Sequence, residues 1–147
     1  MQAYVVGFLF NDEKSRVALI EKNRPDWQKG KLNGIGGKVW PSELPSHSMV
    51  REFEEETGVL LTKWELFAVL RDALESVFVI SFFFAISSNA LDKVTTNTEE
   101  KVIICDIDSL PGLNIVNNLN WLIPMALSMD KLETSRTEVN YFSIREY

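Results

Sequence analysis

The segment Gly36–Val59, GGKVWPSELPSHSMVREFEEETGV, constrains this chain more than any other. It sets Glu52, Glu54, Glu55 and Glu56 beside Arg51, with Glu43 upstream. Residues three and four apart share a helix face. A helix here therefore turns Glu52, Glu55 and Glu56 the same way and leaves Met49, Val50 and Phe53 as an apolar side. Gly58 suits the position just past the end of such a helix, and Pro45 suits its first position. Leu44 stands where a Ser or Thr cap is expected, so the helix start is weak locally. Like charges at this spacing destabilise a helix unless compensated, and the nearest lysines, Lys38 and Lys63, lie outside the turn. A hard divalent cation such as Mg²⁺, or Mn²⁺ in its place, takes oxygen ligands of this kind and keeps open positions for substrate phosphates. A solvated acidic face is the alternative.

The size and charge of the chain narrow what such a site acts on. A length of 147 residues is enough for one domain, 1–147, with its own core. Net charge −6 and a pI near 4.8 argue against a nucleic-acid polymer or an anionic membrane as partner. Small phosphorylated substrates stay open, because a bound metal inverts the local sign. Cys105 is the lone cysteine, which fits a reducing cytoplasm. The N-terminal stretch lacks a basic region and cleavage site, so no secretory signal is expected. The longest apolar run, Val77–Ile86, is too short to span a bilayer.

Taken in order, Ala3–Phe10 and Arg16–Lys22 read as a hairpin across the turn Asn11–Lys14. Asn23–Leu32 is a polar loop that either offers Arg24 or Lys29 to phosphate and Trp27 to a base, or merely connects. The glycine-rich Asn33–Val39 leads into the helix, and its glycines allow close backbone approach to a metal or phosphate. His47 falls early in the helix, off the acidic face, and has no assigned role. Lys63–Asp72 and Ser76–Ser87 read as strands, the second buried on both faces. Ser88–Thr98 reads as a polar loop, and Val102–Ile107 as a strand after Glu99-Glu100. Trp121–Met129 reads as a helix with Pro124 in its first turn, and Glu138–Ile144 as a closing edge strand.

The fixed letters from Gly37 through Glu43, Arg51-Glu52, Glu55-Glu56 and Gly58 to Val59 resemble the Nudix box, G-x5-E-x7-R-E-U-x-E-E-x-G-U, at every position. The lead-in K-x-R-P-x-W-x-x-G-x-x-N-G-I-G-G-K and the late L-P-G-L-x-x-x-x-N-L-x-W-L-I-P-M-A-L are similar to MutT-like nucleoside triphosphate pyrophosphohydrolases, including 8-oxo-dGTP diphosphatases. The resemblance implies an α+β fold, the Nudix α/β/α sandwich with a mixed sheet between helices. It implies that Glu52, Glu55 and Glu56 bind Mg²⁺, with Glu52 a candidate to activate water, that Arg51 orients Glu52, and that Glu43 steadies the loop. The Gly36 or Gly37 carbonyl would complete the metal shell, and Glu99 or Glu100 would add a carboxylate. Asn33 and Asn117 or Asn118 fall where the subfamily contacts the base, and Lys38 is counted with the substrate-binding residues. The implied reaction is hydrolysis of a nucleoside diphosphate linked to X, with a small nucleotide as partner and a monomer or homodimer as the working unit. An ADP-ribose, nucleotide-sugar or dinucleoside polyphosphate pyrophosphatase is the second reading. A nucleotide sensor without turnover is the third, although such domains usually carry damaged boxes and this one is whole.

Overall fold

The alternation of Val5, Gly7 and Leu9 with Val6, Phe8 and Phe10 gives the first strand two apolar faces, and the fold uses both. The computed structural model describes residues 1–72, 77–129 and 137–141. Its strands are β1 (Gln2–Phe10), β2 (Arg16–Glu21), β3 (Leu32–Asn33), β4 (Ile35–Lys38), β5 (Glu65–Asp72), β6 (Phe78–Ile86), β7 (Val102–Asp106) and β8 (Thr137–Tyr141). Helices are α1 (Pro45–Thr57), α2 (Ser88–Leu91) and α3 (Leu119–Met129), with short 3₁₀ turns at Asp26–Gln28 and Ile107–Gly112.

The sheet is mixed. β1 pairs in parallel with β6 along its whole length, Gln2 with Phe78 through Phe10 with Ile86. β6 pairs antiparallel with β5 on its other side, and β8 adds to β5 in parallel. The hairpin partner β2 meets β1 at Leu9↔Ala18 and Phe10↔Val17, then diverges. The segment 32–38 fills the gap: β3 bonds β2 at Ile20↔Asn33, and β4 bonds β1 from Gly7↔Ile35 to Tyr4↔Lys38. The glycine-rich approach is thus part of the sheet rather than a loop. Gly36 shows why glycine is needed there, since a Cβ would run into the Val5 carbonyl.

Each face of the sheet carries its own core. Val5, Leu9, Ala18, Ile20, Ile35, Phe83 and Ala85 pack against Met49 and Phe53 of α1 and against Ala90 and Leu91 of α2. Phe8, Phe10, Val17, Leu19, Phe82 and Phe84 face the other way, onto Leu119, Leu122, Ile123 and Ala126 of α3. Phe8, Phe67, Phe82 and Phe84 interlock there at centroid distances of 5.8–6.5 Å. Each such pair adds about 0.5–1.5 kcal/mol beyond its area. Gly7 serves the first core, because a Cβ there would lie 2.6 Å from Met49 Cε. This is the α/β/α sandwich expected from the sequence.

Three details differ from expectation. The loop Ser88–Thr98 opens with α2, whose first turn is capped by Ser87 Oγ accepting from the Ala90 N–H at 3.0 Å. The third helix starts at Leu119 rather than Trp121, so Pro124 sits inside it. The carbonyl left unbonded by its missing N–H is that of exposed Asn120. The last strand spans Thr137–Tyr141, and the expected stretch beyond it lies outside the described residues.

Candidate active site

α1 begins at Pro45 without a side-chain cap on Leu44, as its sequence foretells, and ends at Gly58 with φ 76°. Its core side is Met49 and Phe53, both fully buried, which fixes where Arg51, Glu52, Glu55 and Glu56 emerge. The surplus of negative charge is met first by the chain itself. Arg51 Nε donates to Glu43 Oε2 at 2.8 Å and Nη2 to Glu43 Oε1 at 3.0 Å, a bidentate pair. Arg51 Nη1 donates to Glu52 Oε1 at 2.9 Å and reaches Glu55 at 3.3 Å. Nη2 also binds the Lys38 carbonyl at 2.9 Å, tying the helix to the end of β4. The Trp40 ring lies 3.6 Å from the guanidinium carbon and covers it.

Charges this close shift one another. The Arg51 guanidinium holds Glu43 down to about 2, and Glu43 in turn raises Arg51. Glu52 goes the other way: burial pushes its carboxyl up, against the opposing pull of Arg51. It is 9% exposed and lies against Gly37, where a Cβ would come within 2.5 Å of Oε1. Gly37 is therefore the space into which the carboxylate fits. Glu56 leaves this group and accepts from Thr98 Oγ at 2.7 Å.

A second feature lies beside β3. Leu32 N–H donates to the Asn114 carbonyl, and Val116 N–H donates back to Leu32. This holds the segment that leads to Asn118 and the start of α3. The Asn118 carbonyl accepts from Trp121 and Leu122, as a helix-starting residue does. Its carboxamide, however, is buried and neither Oδ1 nor Nδ2 finds a partner among the described residues. Such groups are costly without a bond and are rare in folded chains.

A family model for the NUDIX domain matches residues 1–119. The chain belongs to the Nudix family. Solved structures share its fold: MutT of Bacillus halodurans (20% identity, TM-score 0.69, 96% of this chain and 90% of that one) and a MutT from work on Aliivibrio salmonicida and Vibrio cholerae (20%, 0.68, 86% and 96%). The Nudix domain of Shewanella oneidensis NrtR, complexed with ADP-ribose, is similar as well (16%, 0.67, 86% of each chain). At these identities the likeness is one of fold. No curated protein matches the chain. With its family and its complete box, the chain is a Nudix pyrophosphohydrolase acting on nucleotide-like substrates.

Nudix hydrolases generally use divalent metal ions, and the donor chemistry here suits one. Glu52 and Glu55 both converge on Arg51 Nη1, so two hard oxygen donors already gather about one positive charge. Among the described residues no three His, Cys, Asp or Glu side chains close on one point, since Glu56 is turned to Thr98.

The other Nudix site residues expected from sequence are scattered. Asn33 is buried, donating Nδ2 to Gln28 and accepting from the Gly34 N–H, so both ends of its amide are used internally. Asn117 is exposed, and its carbonyl receives Asn120. Arg24, Trp27 and Lys29 are exposed on the 23–30 loop, and Lys38 is exposed at the end of β4. Glu100 bonds Lys22 Nζ at 3.0 Å and the Asn23 N–H at 2.6 Å, while Glu99 is exposed and contributes its carbonyl to Asn23. Trp40, Thr98, Gln28 and Lys22 carry parts of this arrangement that the sequence reading missed. Trp40 stands at a variable place in the box and Thr98 in a polar run, so neither gives a sequence signal.

No helix among the described residues is long and apolar enough to cross a membrane.

Proposed function

We propose that this chain, as a single Nudix domain over 1–147, hydrolyses a nucleoside triphosphate to the monophosphate and pyrophosphate in the cytoplasm. The observation that carries this reading is the Asn118 carboxamide, buried and unpaired at the start of α3. One acceptor beside two donors fits a base edge that offers a donor beside an acceptor. Adenine presents this at N6 and N7. Guanine presents two acceptors there, whereas guanine oxidised at C8 gains an N7–H and matches. A base met by this amide would therefore be an oxidised guanine or an adenine rather than ordinary guanine.

In this reading Glu52, Glu55, Glu56 and the Gly37 carbonyl would hold Mg²⁺ or Mn²⁺ in its place, Glu56 turning from Thr98 to join the other two. When bound, the ion supplies Lewis acidity toward phosphate oxygens and water. Arg51 holds Glu52 through Oε1, and Oε2 is then the oxygen that would take a proton from water. Arg24 and Lys38 are the cations offered to phosphate, and Trp27 offers a face for stacking.

The adenine match keeps ADP-ribose as the second reading, in line with the ligand of the NrtR domain. A panel of 8-oxo-dGTP, dGTP, dATP and ADP-ribose, each with and without Mg²⁺, separates the possibilities. Pyrophosphate from 8-oxo-dGTP or dATP in excess over dGTP is the expected result. AMP from ADP-ribose alone gives the second reading, and binding without product makes the domain a sensor. Asn118→Ala is expected to raise KM about 10- to 100-fold, the value of a good bidentate base contact.

A further inference from the structure

We propose that Glu100 is a positioning residue that anchors the 23–30 loop, and that its carboxylate takes no part in holding the metal. Both of its oxygens are spoken for: Oε1 by Lys22 Nζ at 3.0 Å and Oε2 by the Asn23 N–H at 2.6 Å. The pair is largely covered, with side-chain exposures of 21% for Lys22 and 15% for Glu100. A covered carboxylate that leaves such a pair strands the lysine, which is strongly unfavourable.

The place of this pair gives it a function. Gly30 N–H donates to the Lys22 carbonyl and Lys22 N–H to the Lys31 carbonyl, closing a neck from which residues 23–29 project. The projecting arm carries Arg24, Trp27 and Lys29. Its neck is gripped at the start by Glu100, with Asn23 Nδ2 on the Glu99 carbonyl, and at the end by Asn114 on the Gly30 carbonyl. The grip also reaches the box. Thr98 Oγ receives the Glu100 N–H at 3.3 Å and donates to Glu56 Oε2 at 2.7 Å, and Asn97 N–H binds the Glu56 carbonyl at 3.0 Å. Residues 95–100 thus form a strap with the box helix at one end and the arm at the other. These bonds also satisfy carbonyls in the last turn of α1. That capping role needs nothing of Glu100, whose side chain points to the opposite end.

The inference rests on the reading that the arm meets substrate, and the test separates the two. Glu100→Gln, Lys22→Met and their combination are made in the whole chain. Mn²⁺ affinity is measured by paramagnetic resonance without nucleotide, and tryptic cleavage after Lys29 is timed. Steady-state rates are taken with 8-oxo-dGTP and dATP. Glu100→Gln should leave Mn²⁺ affinity within about twofold, since no first-ligand bond is lost. It should speed cleavage of the arm about tenfold or more through local opening. It should raise KM several-fold with kcat nearly unchanged, a loss of uniform binding. Lys22→Met should reproduce these effects, and the double variant should add little, because both changes break one interaction. A fall in Mn²⁺ affinity of about tenfold or more with the arm still protected overturns the proposal. Should Glu100→Gln fail to fold, Lys22→Met decides alone: it frees Glu100, so a metal role would tighten Mn²⁺ binding. If no triphosphate is hydrolysed by the wild type, the functional reading fails while the Mn²⁺ and cleavage results still place Glu100.

Discussion

Replacing Gly37 by alanine tests whether the carboxylate of Glu52 is held where the chemistry needs it. The new methyl would stand 2.5 Å from Glu52 Cδ and Oε1 and 2.6 Å from Oε2. Ordinary contact lies at about 3.5 Å or more, so the carboxylate must withdraw by about 1 Å. The helix cannot slide to allow this, because Met49 and Phe53 are fully buried on its other side. Glu52 must instead swing, giving up its 2.9 Å bond to Arg51. A displacement of about 1 Å at a reacting group costs about 10²-fold in rate. The stability cost should be small, about 1 kcal/mol, because a side chain rather than backbone gives way. Pyrophosphate release under Mg²⁺ saturation is therefore expected to fall about 100-fold, with a melting temperature only a few degrees lower. Gly112→Ala is the control, since nothing lies within 4 Å of its Cβ. A Gly37→Ala enzyme that keeps its kcat would refute the assignment of Glu52.

The other expectations concern the same cluster. Glu43, held near about 2 by Arg51, contributes stability that is fully present above its ordinary 4.5 and is lost as the pH falls toward 2. Glu43→Gln should flatten the urea midpoint across that window and cost about 1–2 kcal/mol at neutral pH after solvent screening; an unchanged acid limb counts against the pair. Glu52 is shifted upward, so its folded form keeps the proton better and stability drops as the pH rises from 4.5 through its folded value. Glu52→Gln should then melt at or above the wild-type temperature at pH 7 while losing about 10²–10⁴-fold in turnover, and a clearly lower melting point would contradict the burial argument. Glu56→Gln should cut Mg²⁺-dependent turnover by orders of magnitude with the fold intact, whereas exposed Glu54→Gln should leave it unchanged; equal rates in parallel assays would sink the assignment.

Local signals in the chain were enough for β1, β2, α1 and the glycine at its end, because periodicity and capping are properties of neighbouring residues. They failed at β3 and β4, where Gly36 and Gly37 depress strand propensity. Those residues become strand only because β1 and β2 part and leave edge bonds to be filled. α2 was missed although Ser87 marks its start, since one turn of helix has too few residues to show a period. In the site, the sequence already sets the glutamates beside Arg51; what only the fold supplies is that Arg51 pairs with Glu43, Glu52 and Glu55 at once. The roles of Asn33 and Glu100 depend on Gln28 and Lys22, partners five and 78 residues away in sequence. No single-residue signal carries such pairings. Asn118 was legible only as one of two adjacent asparagines, and burial distinguishes it from Asn117.

The inserted segment Leu32–Lys38 acts as a ruler. At one end its Leu32 backbone secures the stretch leading to the unpaired amide, and at the other its Lys38 carbonyl anchors the arginine hub. Six residue steps of extended chain span at most about 20 Å, and both flanking strands lock the register. Substitutions can retune either terminus of that ruler separately, but the gap between them is set by a residue count. One added or deleted residue would turn every later side chain to the opposite face, so ligands of altered length must be met by the loops instead.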